Sequence, residues 1–147
     1  MATCSAIDNF IMNKTKVKIL IPNSKESVRL PNKNRLLRHY TLRWLDDEIK
    51  GLSSDYEVRV MELRNSKVAV DTSEDNKYSY EITPLYCPDE SSNDLRDLLA
   101  YEALHGFISD VTILLQLTQP KRSLGLLERV IKGTLSHPDR LTATYTM

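Results

Sequence analysis

Two short runs of apolar residues limit the fold of this chain more than any other feature. They occupy residues 17–21, with the sequence VKILI, and residues 111–117, with the sequence VTILLQL. Each run is bounded by polar or proline-containing sequence and is short for a helix, which indicates a strand buried on both faces. We therefore expect both runs to be central strands of a mainly parallel sheet.

Segments of helical and extended character alternate with these two strands. Apolar residues recur at helical spacing in residues 35–52, 95–107 and 123–135, and β propensity is high in residues 56–63, 67–70, 78–86 and 141–145. Pro84 restricts the third of these extended segments to a sheet edge. The alternation predicts a three-layer α/β fold with a mainly parallel, Rossmann-like sheet. We expect one domain over residues 1–147, with residues 1–15 as a flexible N-terminal segment.

Composition and charge narrow the classes of function. Hydrophobic residues make up 41% of the chain and charged residues 27%, which is typical of a folded globular domain and excludes a disordered one. Twenty basic residues equal 20 acidic ones, so nucleic acid is disfavoured as a partner and any phosphate binding must be local. The sequence contains no signal-peptide pattern and no membrane-length apolar run, which predicts a soluble, cytoplasmic protein that does not bind membranes.

The polar loop after the first strand is the best candidate for a binding site. Residues 21–34 read IPNSKESVRLPNKN, and their cations could surround a phosphate, because arginine offers a bidentate fork and lysine a point charge. The loops at the carboxyl ends of parallel strands are where ligands bind in open α/β sheets. Composition alone does not distinguish this site from a solvated basic loop.

These fourteen positions resemble the loop I-P-A-R-x-x-S-K-R-L-P-G-K-N of the acylneuraminate and related cytidylyltransferases. Three later segments are similar to motifs of that family in the same order, at residues 68–75 (VAVDTSED), 87–94 (CPDESSND) and 114–122 (LLQLTQPKR). The resemblance implies a truncated, nucleotidyltransferase-like fold that binds CTP or CMP. It also implies transfer of CMP to a sugar acid, with magnesium as the cofactor.

The resemblance also assigns site residues. Those expected at the nucleotide are Asn23, Ser27, Arg29, Lys33, Asn34 and Thr72. Those expected on the acceptor side are Asp94, Gln116 and Arg122. If the strands before both loops are central, Arg29, Lys33 and Asn34 should face the same crevice as Gln116.

Several positions depart from the family pattern. Ser24 and Val28 stand where the family carries the arginine and lysine that hold the triphosphate, and Asn32 replaces a glycine. Cys87 stands where the family has an arginine. No Asp-x-Asp pair replaces the family's magnesium-binding aspartates, so we assign no metal ligand and no catalytic residue.

Two hypotheses of function therefore stay open. The first is a reduced cytidylyltransferase, and the second is a catalytically inactive α/β protein that binds a macromolecular partner or itself. Whether the chain is an enzyme is left open, because catalysis needs metal ligands and phosphate-binding cations that are changed here. Since the family's second half has no counterpart in this sequence, apolar surface should be left uncovered. We accordingly expect a homo-oligomer.

Overall fold

The structure, a computed structural model, describes residues 14–22, 31–65, 70–87, 108–117 and 122–137. These ranges contain four strands, two α-helices and one turn of 3-10 helix. In chain order they are β1 (Thr15–Ile21), α1 (Pro31–Gly51), β2 (Tyr56–Asn65), the 3-10 turn (Asp75–Lys77), β3 (Ile82–Cys87), β4 (Val111–Leu114) and α2 (Leu126–Leu135). The predicted helix at 95–107 and the predicted strand at 141–145 lie outside the described residues. So does the predicted strand at 67–70, except for Val70, which is not in a strand.

The four strands form one parallel sheet in the order β3-β2-β1-β4. Val17 of β1 is aligned with Val58 of β2 on one side and with Val111 of β4 on the other. Val60 of β2 is in turn aligned with Ile82 of β3. This arrangement confirms the predicted α/β class with a Rossmann-like parallel sheet, and it confirms the run at residues 17–21 as a central strand.

The prediction that residues 111–117 form a second central strand is wrong for the sheet as described, because β4 lies at its edge. The apolar run has a different cause. Val111 and Leu115 are buried against the helices, whereas Thr112 between them is exposed. Apolar side chains indicate that the two faces of a strand are buried. They do not indicate whether a neighbouring strand pairs with its backbone on each side. At the opposite edge, Pro84 in β3 confirms the predicted edge strand, since proline has no N–H to donate.

The side chains of β1 alternate between two apolar clusters, as the pleat requires. Val17, Ile19 and Ile21 face both helices, and Leu20 faces the other side of the sheet. The helix-side cluster is completed by Leu42, Leu45, Val60, Tyr80, Val111, Leu115, Leu117, Leu127 and Ile131. The smaller cluster contains Leu20, Met61, Leu63 and Leu85. Both clusters include residues of β1, which explains why this strand carries apolar side chains on both faces.

Helix α1 begins at Pro31, four residues before the predicted start. Proline suits the first turn of a helix, since its fixed φ is helical and its missing N–H would have no partner there. The helix ends at Gly51, one residue before the predicted end. Among the helices of the described ranges, none has both the length and the apolar character needed to cross a bilayer.

The start of α2 is capped by a side chain of α1. Gly125 precedes the helix in a left-handed conformation with φ of 77°, which glycine adopts without steric cost. The carboxylate of Glu48 accepts hydrogen bonds from the backbone N–H groups of Gly125 at 3.1 Å and of Leu127 at 3.2 Å. A buried carboxylate at a helix N-terminus is favoured by the helix dipole, so Glu48 joins the two helices.

A second carboxylate of α1 holds the segment that leads into β3. Asp46 Oδ1 accepts hydrogen bonds from the backbone N–H of Ser79 at 2.7 Å and from its hydroxyl at 2.6 Å, and Asp46 Oδ2 pairs with Lys50 at 3.0 Å. Burial alone would raise the pKa of Asp46, but the contacts of Ser79 and Lys50 outweigh it and lower the pKa. The next tyrosine, Tyr80, donates its hydroxyl to the Leu42 carbonyl at 2.8 Å.

The lowered pKa of Asp46 makes the stability of the fold depend on pH in the acidic range. A carboxyl group with a lowered pKa stabilises the folded state above its unfolded pKa of about 3.9, and this contribution is lost as the pH falls through the folded pKa. We expect Asp46→Asn to lose less unfolding free energy than the native chain between about pH 5 and pH 2. Urea titrations at stepped pH measure this. Asp47→Asn, at the exposed neighbour, should keep the native slope, and equal slopes for both variants would contradict the assignment.

Candidate functional site

The order of the strands places the candidate site at the carboxyl ends of the strands. From β1 the chain passes to β2 and β3 on one side, and β4 pairs with β1 on the other side. In open parallel sheets, ligands bind beyond the carboxyl ends of the strands where the order reverses in this way. Here that point lies between β1, which ends at Ile21, and β4, which ends at Leu114, two residues before Gln116. We call this region the switch-point crevice.

The sequence-predicted residues are distributed unevenly around this edge. Four of them lie outside the described ranges: Asn23, Ser27, Arg29 and Asp94. Lys33 and Asn34 lie in the first turns of α1, and the side chain of Lys33 is exposed. Because α1 follows the loop at the carboxyl end of β1, this exposed lysine lies on the ligand-binding side of the sheet. The first turn of α1 also contains no acidic residue that would oppose an anion.

Gln116 and Arg122 are brought together directly. Nη2 of Arg122 donates a hydrogen bond to the Gln116 carbonyl, and Nη1 donates to the hydroxyl of Thr41 on α1 at 3.1 Å. The guanidinium carbon lies 5.3 Å from the centre of the Trp44 ring, within cation–π range. The Trp44 indole N–H donates to the Ser123 carbonyl at 3.3 Å. The segment after β4 is thus fastened along α1.

Thr72 lies in a different part of the carboxyl edge, in the exposed loop between β2 and β3. The carbonyl of the preceding residue, Asp71, accepts a hydrogen bond from Arg38 at 2.8 Å, and the Asp71 carboxylate accepts from the hydroxyl of Ser73 at 2.7 Å. These contacts hold the loop against α1. Within the described part of the chain, no hydrogen bond or ion pair joins it to Gln116 or Arg122.

The sequence did not predict the cluster of charged side chains that holds this loop. Nε of Arg38 lies 2.8 Å from Glu62 Oε2 and Nη2 lies 3.0 Å from Oε1, so the pair is bidentate. Arg38 also contacts both carboxylate oxygens of Asp75 at 3.1 Å, and Arg64 Nε lies 3.0 Å from Glu62 Oε1. We call these four side chains the Arg38 cluster. Glu62 and Arg64 share the helix-covered face of β2 with Val60. Two charged residues on an otherwise apolar strand face are the sequence signal that could have indicated the Arg38 cluster.

The Arg38 cluster is largely withdrawn from water. The side chains of Arg38 and Glu62 are 10% and 5% exposed. Burial alone would lower the pKa of Arg38, but the hydrogen bonds and charges of Glu62 and Asp75 raise it. These two carboxylates are therefore neutralised by arginine, and a metal ion would have to displace those contacts to use them. In the part of the chain that the structure describes, no three metal-ligating side chains are grouped.

A shallow depression of about 200 Å³ lies between α1 and the loop that contains Thr72. It is lined by Arg35, Leu36, Arg38, His39, Asp71, Ser73, Glu74 and Tyr78. Cationic side chains of the helix face acidic side chains of the loop across it. Hydrogen bonds from Ser73 lower the pKa of Asp71, and the ammonium group of Lys77 lowers the pKa of Glu74. The helix and the loop therefore place opposite charges on the two sides of this depression, and we assign no ligand to it.

Comparison with known proteins assigns no relative to this chain. No protein-family model, no curated protein and no solved structure matches it. The function of the chain is therefore inferred from the candidate site residues and from their placement at the carboxyl ends of the strands.

Proposed function

We propose that this chain is a reduced, cytidylyltransferase-like protein that binds CTP or CMP at the switch-point crevice. The observation that carries the proposal is the strand order β3-β2-β1-β4. It makes the two strands that precede the most family-like segments neighbours, with parallel carboxyl ends. The loop at residues 21–34 and the segment at residues 114–122 therefore start from the same edge of the sheet.

The nucleotide phosphates are the part of the ligand that the chain is best equipped to hold. Arg29 and Lys33 supply two positive charges within five residues, and the first turn of α1 adds no opposing acid. A helix N-terminus and nearby cations favour phosphate together. The departures at Ser24 and Val28 remove two further charges, so we propose binding weaker than a loop with all four cations would give.

Calorimetric titration with CTP and CMP, with and without magnesium, tests the proposal. We expect Arg29→Ala or Lys33→Ala to weaken binding by roughly 1.5 to 3 kcal/mol, about 10- to 100-fold, because each removes a charge-assisted contact. Ser24→Arg combined with Val28→Lys should strengthen it. Lys50→Ala, at the opposite end of α1, is the matched control and should leave the affinity unchanged.

The same titration contains the outcome that would overturn the proposal. Absence of binding by the native chain, unrescued by the two restored cations, would exclude a nucleotide site at this loop. Pyrophosphate release from CTP in the presence of a sugar acid and magnesium would extend binding to catalysis. Binding without release would place the chain among proteins that keep the pocket and have lost the reaction.

A second candidate, self-association, is favoured by one observation on α1. Leu36 and Tyr40 lie four residues apart on one helix face, and they are 51% and 54% exposed. Adjacent exposed apolar side chains of this size are commonly covered by a partner. Sedimentation velocity at tens of micromolar on the calorimetry samples tests this candidate, and a clean monomer would contradict it.

A further inference from the structure

Arg122 is a half-buried cation whose charge no carboxylate balances within the described ranges. A guanidinium group has five N–H donors. Two of them are used, by the hydroxyl of Thr41 and by the carbonyl of Gln116, and both acceptors are neutral. The other donors have no hydrogen-bond acceptor in the part of the chain that the structure describes. Arg122 is partly exposed, so its remaining N–H donors are available to an anionic group from outside the chain.

Arg38 provides an internal comparison for this position. Both arginines are partly or largely buried beside α1, and burial alone lowers the pKa of each. At Arg38 two carboxylates reverse that effect and raise the pKa, whereas at Arg122 the pKa stays lowered because no acidic group acts on it. Within the described residues, the buried Arg38 is therefore paired with carboxylates, whereas the half-buried Arg122 is not.

The surroundings of Arg122 hold its guanidinium group in one orientation. Its guanidinium carbon lies over the Trp44 ring, at 5.3 Å from the ring centre, and the indole N–H of that ring donates a hydrogen bond to the Ser123 carbonyl. Thr41, which receives Nη1, is fully buried on α1. Both terminal nitrogens are thus held by neutral acceptors, and the guanidinium group keeps its positive charge and further N–H donors for an anion.

We propose that Arg122, held by Trp44 and Thr41, binds an oxyanion of a small ligand, a phosphate or a carboxylate group, next to the carboxyl end of β4. The site uses neither the loop at residues 23–30 nor Lys33. It belongs to the segment at residues 114–122 that also borders the switch-point crevice, so variants of Arg29 and Lys33 are needed to distinguish it from the nucleotide proposal. The two oxyanion classes share the same recognition chemistry, because each offers two oxygens at the spacing of the guanidinium fork.

Binding at this site can be followed by tryptophan fluorescence, since Trp44 is the single tryptophan of the chain. We expect the Trp44 fluorescence of the native chain to change saturably on titration with inorganic phosphate, pyrophosphate or acetate. Ionic strength is kept constant with potassium chloride, so that general screening is not read as binding. The phosphate and acetate arms distinguish the two oxyanion sources.

Variants of Arg122 test which group is responsible. Arg122→Gln should weaken the anion response at least about tenfold, because the charge-assisted contact is lost. Arg122→Lys should fold and retain a weaker response, since an ammonium group keeps the charge but lacks the fork. Arg43→Gln is the matched control, because Arg43 is the exposed arginine that precedes Trp44 on the same helix, and it should respond as the native chain does.

The outcomes separate this inference from the nucleotide proposal. If neither anion class gives a saturable response with the native chain, or if Arg122→Gln and Arg43→Gln respond alike while circular dichroism shows both folded, the inference is overturned. If Arg122→Gln does not fold, the native chain and Arg122→Lys still decide, because an unchanged affinity in Arg122→Lys also overturns it. Anion binding that survives Arg29→Ala and Lys33→Ala, in a chain that does not bind CTP, would support this site and reject the nucleotide site.

Discussion

Replacing Arg38 with methionine is expected to lower the free energy of unfolding by about 3 to 5 kcal/mol, the largest effect of any substitution considered for this protein. The methionine fills much of the same space but leaves Glu62, 5% exposed in its side chain, without its bidentate partner. Asp75 loses two contacts as well, and only Arg64 then remains to neutralise the two carboxylates. A buried charge whose partner is removed keeps its desolvation penalty and loses the interaction that offset it.

Urea unfolding followed by circular dichroism measures this loss. Arg43→Met is the matched control, because it removes an exposed arginine from the same helix and should change stability by no more than about 0.5 kcal/mol. A double-mutant cycle with Glu62→Met should show that the two losses are not additive, by about 0.5 to 3 kcal/mol. Equal effects of Arg38→Met and Arg43→Met would show that the Arg38 cluster does not stabilise the fold.

Replacing Glu48 with alanine is expected to lower the free energy of unfolding by about 2 to 4 kcal/mol. The backbone N–H groups of Gly125 and Leu127 would lose their acceptor, and a buried donor left unpaired, as at Leu127, costs about 1 to 3 kcal/mol. The negative charge at the N-terminus of α2 would be lost at the same time. The apolar contacts of Leu127 and Ile131 would remain, so the helix should still pack on the sheet.

Two further variants identify the cause of this effect. Glu48→Gln keeps an oxygen acceptor and removes only the charge, so we expect less than half of the alanine effect. Asp47→Ala, at the exposed neighbour, should be close to neutral. Thermal unfolding of the three variants measures how much stability each one loses. An equal loss of stability in Glu48→Gln and Glu48→Ala would assign the whole effect to the charge rather than to the hydrogen bonds.

These two side chains also position both parts of the candidate site. Arg38 holds the Asp71 carbonyl and Asp75, and so fixes the loop that carries Thr72. Glu48 fixes the start of α2, a few residues after Arg122. Because both are residues of α1, a change in the position of this helix would move the two parts together. The stability variants are thus also probes of ligand binding.

The amino-acid sequence by itself determined the central strand, both described helices and the α/β class. Residues 17–21 are apolar except for Lys18, because β1 lies between two other strands and has an apolar cluster on each face. Pro84 marked β3 as an edge strand through its missing N–H. Each of these features has a local cause, such as periodicity, run length or backbone chemistry, which a single sequence displays.

Only the tertiary structure decided the features that depend on contacts between distant residues. The apolar run at residues 111–117 gave no sign that β4 lies at the edge of the sheet formed by the described residues, because apolar side chains indicate burial of the strand faces and not backbone pairing. Arg38 and Glu62 are 24 residues apart, and Glu48 and Gly125 are 77 apart, so their pairing has no local pattern. Thr72, expected at the nucleotide, and Arg122, expected on the acceptor side, lie on segments that follow β2 and β4, which are not neighbours in the described sheet, since strand order rather than chain order decides which loops are neighbours.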